Sequence, residues 1–200
     1  MTDSQPDFSA LTSEGGSFSV QQATFTVHTL PDRNSGYRDY ELRLEDCCIG
    51  KATGQPSSLI LTTIAKAGTA APTLDPLIIR LYGGRCHWIE TLQILPEFRG
   101  RGYGSLWLES LCAVLQSEVK LPIALLPDEW WDQSNPIPGT ALEDWYERHG
   151  FLPFPEAETL FKLRVRDDPN RAATAVLIQQ MVEEINSDIS GMLGKMILDQ

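Results

Sequence analysis

Apolar and polar residues alternate through much of the first half of the chain. In FSVQQATFTVHTL, Phe25 and Val27 fall on one side of a period of two, which predicts a strand. PDRNSG then reads as a turn or loop. YRDYELRLEDCCIG alternates again through Tyr40, Leu42 and Leu44 and predicts a second strand, and SSLILTTIAK at 57–66 predicts a third. A loop, AGTAAPTLDP, leads to LIIRLY at 77–82. Gly83 and Gly84 between that run and RCHWIETLQIL mark a tight hairpin. No helical period precedes residue 97.

The period then changes. In YGSLWLESLCAVLQS the apolar face runs Tyr103, Leu106, Trp107, Ser110, Leu111, Val114, with Glu109 off that face, so an amphipathic helix is expected. KLPIALLP at 120–127 reads as a short buried strand, with Pro122 placing its start at an edge or bulge. DEWWDQSNPIPG is a loop. Thr140 and Glu143 form a capping box ahead of ALEDWYERHG, which Gly150 terminates. A strand closes this region at about 159–166. Beyond it, apolar residues at 178, 182, 185, 189, 192 and 196 alternate spacings of four and three, which predicts a further helix. That helix has three open roles: packing on its own domain, a homodimer contact, or contact with another protein. The pattern divides the chain into a loose arm at 1–16, a domain at 17–166 and a helical extension at 167–200.

Composition narrows the class. The 200 residues are 42% apolar, enough for a core, and the net charge of −11 disfavours broad contact with nucleic acid or anionic membranes. A local basic pocket is still allowed, from Arg80, Arg85, Arg99 and Arg101. Cys47, Cys48, Cys86 and Cys112 show no CxxC spacing, which fits a reducing compartment. The N-terminus lacks the basic and apolar regions of a secretory signal, and no run approaches the ~20 apolar residues of a spanning helix. The expectation is a soluble cytoplasmic protein. The scattered histidines offer no metal site.

The densest chemical signal is IETLQILPEFRGRGYGSLWLESL at 89–111. A strand ends near Leu95, a helix starts near Gly102 or Tyr103, and PEFRGRG lies between. A helix start has unpaired N–H groups and partial positive charge, and small residues let an anion approach them. A phosphate or pyrophosphate seat with Arg99 and Arg101 at its mouth is one reading. A sharp turn with tight helix packing is the other. The stretch is not the dinucleotide fingerprint, because the glycines are Gly100, Gly102 and Gly104 at a mid-chain junction, and no P-loop Lys follows them.

The stretch resembles the acetyl-CoA motif of the GNAT family of N-acetyltransferases. There a central strand is followed by Arg or Gln, two residues, Gly, one residue, and Gly or Ala. Arg99, Gly100, Arg101, Gly102, Tyr103 and Gly104 match it, and Ile94, Leu95 and Pro96 match its usual approach. A second segment agrees: Ala141, Trp145, Tyr146, Gly150 and Phe151 follow the family's Ala, helical Tyr, Gly-Phe order. The resemblance covers about 77–166. Most members place helices between their first two strands, and this sequence shows no helical period there.

The resemblance implies a GNAT-like α+β fold: a mixed, mostly antiparallel sheet with flanking helices, here with a strand-rich N-terminal part and an extra C-terminal helix. It makes 17–166 an acyl-CoA N-acyltransferase-like domain. Acetyl-CoA would be its cosubstrate, with no metal. The amides from Gly100 to Gly104 would hold the diphosphate, and the strand through Ile94 and Leu95 would meet the pantetheine. Tyr146 would stand near the sulfur as proton donor to the leaving thiolate. The acceptor would be an amine of a small molecule or a protein. The alternatives are a CoA-binding, catalytically degenerate module that acts by protein contact, and a structural protein.

Other residues are read from their positions. By alternation Glu90 shares a face with Trp88, Leu92 and Ile94, as base or as anchor for the acceptor cation, or simply as a group reaching solvent. Asp128, Glu129, Trp130 and Trp131 combine acid and aromatic groups that suit a cationic acceptor, or form a solvated loop. His87, at the expected hairpin, is a proton relay or a surface residue. His149 favours its helix end. Cys112 reads as core, and Cys47 and Cys48 have no activating neighbour.

Overall fold

The computed structural model describes residues 6–30, 36–58, 85–125, 127, 139–153 and 164–167. The strands are β1 (Gly15–Val20), β2 (Ala23–Thr29), β3 (Arg38–Leu44), β4 (Cys47–Ser58), β5 (Cys86–Ile94), β6 (Ile123–Leu125), β7 (Leu152–Pro153) and β8 (Arg164–Arg166). Among the described residues they form one 8-stranded sheet of order β1-β2-β3-β4-β5-β6-β8-β7. β5 and β6 run parallel and every other pair is antiparallel. α1 (Tyr103–Gln116) is the crossover that the parallel pair requires, and α2 (Gly139–Arg148) precedes β7. This is the mixed, mostly antiparallel α+β sheet with flanking helices and a strand-rich start that the sequence predicts. The strand at 77–82 with its Gly83-Gly84 hairpin, most of the third predicted strand, the loop at 128–131 and the C-terminal helix lie outside the described residues.

Two predicted strands prove to be hairpins. Phe18 pairs with Phe25 and Val20 with Ala23, so the chain reverses at Gln21-Gln22. Likewise Leu44 pairs with Cys47 across Glu45-Asp46. Gln21 and Glu45 take φ of 56° and 53°. Tight hairpin turns demand such left-handed conformations, and Gly or Asn usually supplies them. Neither turn carries either residue, so no local signal marks the reversal. Ser57 and Ser58, the first two residues of the third predicted strand, belong to β4. The sheet begins at Gly15, within the span expected as an arm, and Leu11 ahead of it is buried.

Register places Phe18, Phe25, Val27, Tyr40 and Leu42 on one face, and all are buried. The opposite face is polar there: the Ser17 and Thr26 hydroxyls meet at 3.0 Å. α1 covers the apolar face through Trp107. A Cβ on Gly50 would stand 3.0 Å from the Trp107 ring, so the missing side chain of Gly50 is what seats the indole. Trp107 Nε1 also donates to the Lys51 carbonyl at 3.3 Å.

β5 carries a bulge. Thr53 pairs with Thr91 but Gly54 pairs with Ile89, which leaves Glu90 as the extra residue. Strict alternation predicts Glu90 on the face of Trp88, Leu92 and Ile94, and the bulge corrects this. Glu90 stays beside Trp88, whose Nε1–H it accepts. Leu92 and Ile94 instead pair with Ala52 and Gly50, on the face of Ile89.

α2 ends as predicted. Gly150 takes φ 81°, the Gly150 N–H donates to Glu147 O and the Phe151 N–H to Tyr146 O, and the Phe151 ring packs on Tyr146. This is a Schellman cap with its apolar contact. At the other end of α2, Thr140 is the second residue of the helix, and Glu143 accepts from Arg164 at 2.9 Å. The buried Arg164 guanidinium needs that carboxylate, and it donates to Glu147 as well.

Candidate functional site

The pairing of β5 with β6 stops at Ile89↔Leu125, whereas β5 continues to Ile94. From Glu90 to Ile94, therefore, the β6 side of β5 has no strand neighbour among the described residues. The strand runs into a 3₁₀ turn (Pro96–Phe98), and then into the glycine loop. Gly100 and Gly102 take φ of 73° and 80°, and a Cβ on either would meet nothing within 4 Å. Their role is thus left-handed backbone with open space above it, and tight helix packing is not what requires them. A Cβ on Gly104 would lie 3.7 Å from Trp145, an ordinary contact. Gly102 is the N-cap of α1, with no side-chain cap hydrogen bond. The N–H groups of Tyr103, Gly104 and Ser105 therefore have no helical acceptor. Open donors, room and the positive end of a helix fit a diphosphate.

The expected four-arginine pocket does not form. Arg99 Nε donates to the Ile94 carbonyl at 2.9 Å, and Arg101 lies over the Phe98 ring at 5.9 Å. Arg85 sits at the opposite end of β5 and donates to Ser57 Oγ, so a whole strand separates it from Arg99 and Arg101. Arg80 lies outside the described residues. Of the other loop candidates, Leu95 donates its N–H to Ile49 O, and Tyr103 turns its ring onto Phe25 at 5.9 Å.

Tyr146, on α2, is buried between Trp145 and Phe151, with ring centroids at 4.8 and 5.7 Å. Burial pushes its phenol up to about 12, so it keeps its proton at neutral pH. Glu90 is exposed. Asp128, Glu129, Trp130 and Trp131 lie outside the described residues.

The structure assembles a group that the sequence does not announce. His149 Nε2 is 2.9 Å from Ser105 Oγ, and its Nδ1 is 3.0 Å from Glu109 Oε1. Trp145 Nε1 donates to the same Ser105 Oγ at 3.3 Å, and Arg166 NH1 lies 2.8 Å from the other Glu109 oxygen. A carboxylate only accepts, so in the neutral imidazole Nδ1 carries the proton and Nε2 accepts from the Ser105 hydroxyl. Glu109, off the apolar face of α1 as expected, holds both His149 and Arg166. His149 reaches across to α1 rather than serving its own helix end. One sequence signal existed: Ser105 and Glu109, spaced i, i+4, share a face of α1. Their partner 40 residues or more away gave none.

His87 is the second residue of β5, and the hairpin expected just before it lies outside the described residues. His87 is buried, accepts at Nδ1 from the Ser57 N–H at 3.3 Å, and contacts Val119 O through Nε2 at 2.8 Å. Burial holds its pKa below 6.5. With both nitrogens engaged, it pins β4 and the segment after α1 to β5. Cys112 is buried, as predicted, and burial raises its thiol to about 12. Among the described residues no group of His, Cys, Asp and Glu could hold a metal ion, and no helix is long and apolar enough to cross a membrane.

Comparison with known proteins adds little. No family model matches the chain, and no curated protein matches it. Among solved structures it is similar to a putative acetyltransferase from the GNAT family from Bacteroides thetaiotaomicron. The two are 19% identical, the TM-score is 0.42, and the match covers 77% of this chain and 74% of that one. A likeness at that level does not assign a family.

Proposed function

We infer that this chain transfers the acetyl group of acetyl-CoA directly to an amine of a small molecule or a protein. The observation that carries the reading is the glycine loop. The helix-start amides of Tyr103, Gly104 and Ser105 lack helical acceptors, the space beside Gly100 and Gly102 is open, and among the described residues the adjoining β5 edge has no strand neighbour from Glu90 onward. Loop and edge together suit a ligand with a diphosphate at one end and an extended amide-bearing arm at the other.

Acetyl-CoA would supply the activated acyl carbon and the leaving thiol. The protein's part is orientation and proton handling. The loop amides fix the diphosphate, and main-chain groups of β5 fix the arm. The bulge at Glu90 turns peptide groups out of the ladder, where a donor can face the carbonyl oxygen. Glu90, exposed and negative, attracts a cationic amine and takes its proton. Tyr146 keeps its proton at neutral pH, which suits a donor to the departing thiolate rather than a base.

The test is a calorimetric titration with CoA, followed by thiol release from acetyl-CoA over a panel of amines. CoA is expected to bind, and Gly102→Ala to weaken it, because a Cβ there is strained and projects into the open space. Tyr146→Phe should leave CoA binding intact and lower kcat by about 10²–10⁴-fold. Unchanged turnover in that variant removes Tyr146 from the chemistry. Binding without turnover on any amine makes the chain a CoA-binding module, and failure to bind CoA at all ends the reading.

A further inference from the structure

We propose that Ser105 is a nucleophilic serine, activated by His149 and positioned through Glu109, and that the first turn of α1 is a hydrolytic site for esters of small carboxylic acids. This chemistry needs no CoA, and because it draws on the Gly104 and Ser105 amides that the diphosphate would take, the two reactions compete for the same loop.

The geometry supplies each part of an acyl-transfer site. Ser105 Oγ to His149 Nε2 is 2.9 Å, within reach for proton abstraction. His149 Nδ1 to Glu109 Oε1 is 3.0 Å, which fixes the tautomer whose Nε2 is a base. Glu109 is itself held, by Arg166 at 2.8 Å. Ser105 is the third residue of α1, so its own N–H and that of Gly104 lack helical acceptors and point past the helix start. These are the donors that an oxyanion next to Oγ requires. Gly104 leaves the approach clear of a side chain, and the Trp145 ring, in contact range of Gly104, gives an acyl group an apolar wall. Ser105, Glu109 and His149 are only partly buried, so a substrate can reach them.

The reaction balances with water as the only co-reactant. Ser105 Oγ bonds to the acyl carbon while its proton passes to His149 Nε2. The ester C–O bond breaks, and the leaving alkoxide takes that proton as the alcohol. Water then adds to the acyl carbon, giving one proton to His149. The Ser105 ester bond breaks, the acid departs, and the proton returns to Oγ.

The experiment uses the full chain and a fluorophosphonate probe, which bonds to activated serines and ignores hydroxyls that only tie helices together. Intact mass and peptide mapping are expected to show one adduct, on Ser105, alongside hydrolysis of p-nitrophenyl acetate. Ser105→Ala should abolish both. His149→Gln should slow labelling by at least about 100-fold. Glu109→Gln should slow labelling without removing the Ser105 adduct, and Glu109→Asp, which keeps the carboxylate, should restore part of the rate. A wild-type chain that takes no adduct on Ser105 overturns the proposal, and so does labelling at an unchanged rate in His149→Gln. A labelling rate that Glu109→Gln leaves unchanged removes Glu109 from it.

Discussion

The two halves of the sheet solve different problems. From β1 to β4 each strand pairs antiparallel with its sequence neighbour, with one bulge at Ile49, and one face is apolar while the other carries hydroxyls and charges. From β5 onward the sheet has a bulge, a short parallel pair and a last strand inserted between its predecessors. Arg164 and Arg166 of β8 meet carboxylates on α2 and α1. The difference shows where chemistry becomes possible. A paired strand uses up its main-chain donors and acceptors, whereas an edge leaves them for a ligand. Among the described residues, the second half is where the β5–β6 pairing stops at Ile89, the glycines of the loop turn left-handed and polar groups converge from separate helices.

Substitutions can test this division. The largest effect should come from Trp107, which joins the halves by resting on Gly50 of β4 from α1. It is fully buried, and Trp107→Ala is expected to lower stability by about 3–5 kcal/mol in urea melts. A loss near zero would mean that the halves hold together without it.

Glu143→Ala comes next. It removes one of the two carboxylates that satisfy the buried Arg164, and a hydrogen bond to a buried charged group is worth about 1.5–3 kcal/mol. Glu147→Ala, whose side chain is 43% exposed, should cost less. The reverse order would show that α2 is held at its other end.

His87 lies where the halves meet and predicts a pH effect. Its folded pKa is depressed by burial below 6.5, so the unfolded chain binds the proton more readily. Stability is therefore complete above 6.5 and falls as pH drops through the depressed folded value. Urea melts at descending pH should show this decline, and His87→Gln should flatten it. A slope unchanged in His87→Gln would assign the pH sensitivity to other groups. The smallest effect belongs to the regular half. Ser17→Ala removes an exposed cross-strand hydroxyl contact and should change stability by no more than about 0.5 kcal/mol.

Much of the site was legible because it is local. Gly100, Gly102 and Gly150 occur where the chain must take positive φ, and their density and position announce it. The burial of Trp107, Leu111 and Val114 follows from a helical period. The turns at Gln21-Gln22 and Glu45-Asp46 were not legible, because residues that do not favour positive φ are held there by the pairing on either side. Nor was the bulge, since Glu90 is displaced by the register of β4 and not by its own neighbours.

By itself, then, the sequence determined the alternating strands, the amphipathic α1 and the left-handed glycine loop, since each follows from backbone preference and burial over a few residues. Only the tertiary structure decided the facing of Glu90, the partners of Arg164 and the meeting of Ser105 with His149. Those depend on which distant segments pack together, and charge pairs across that distance obey no local period.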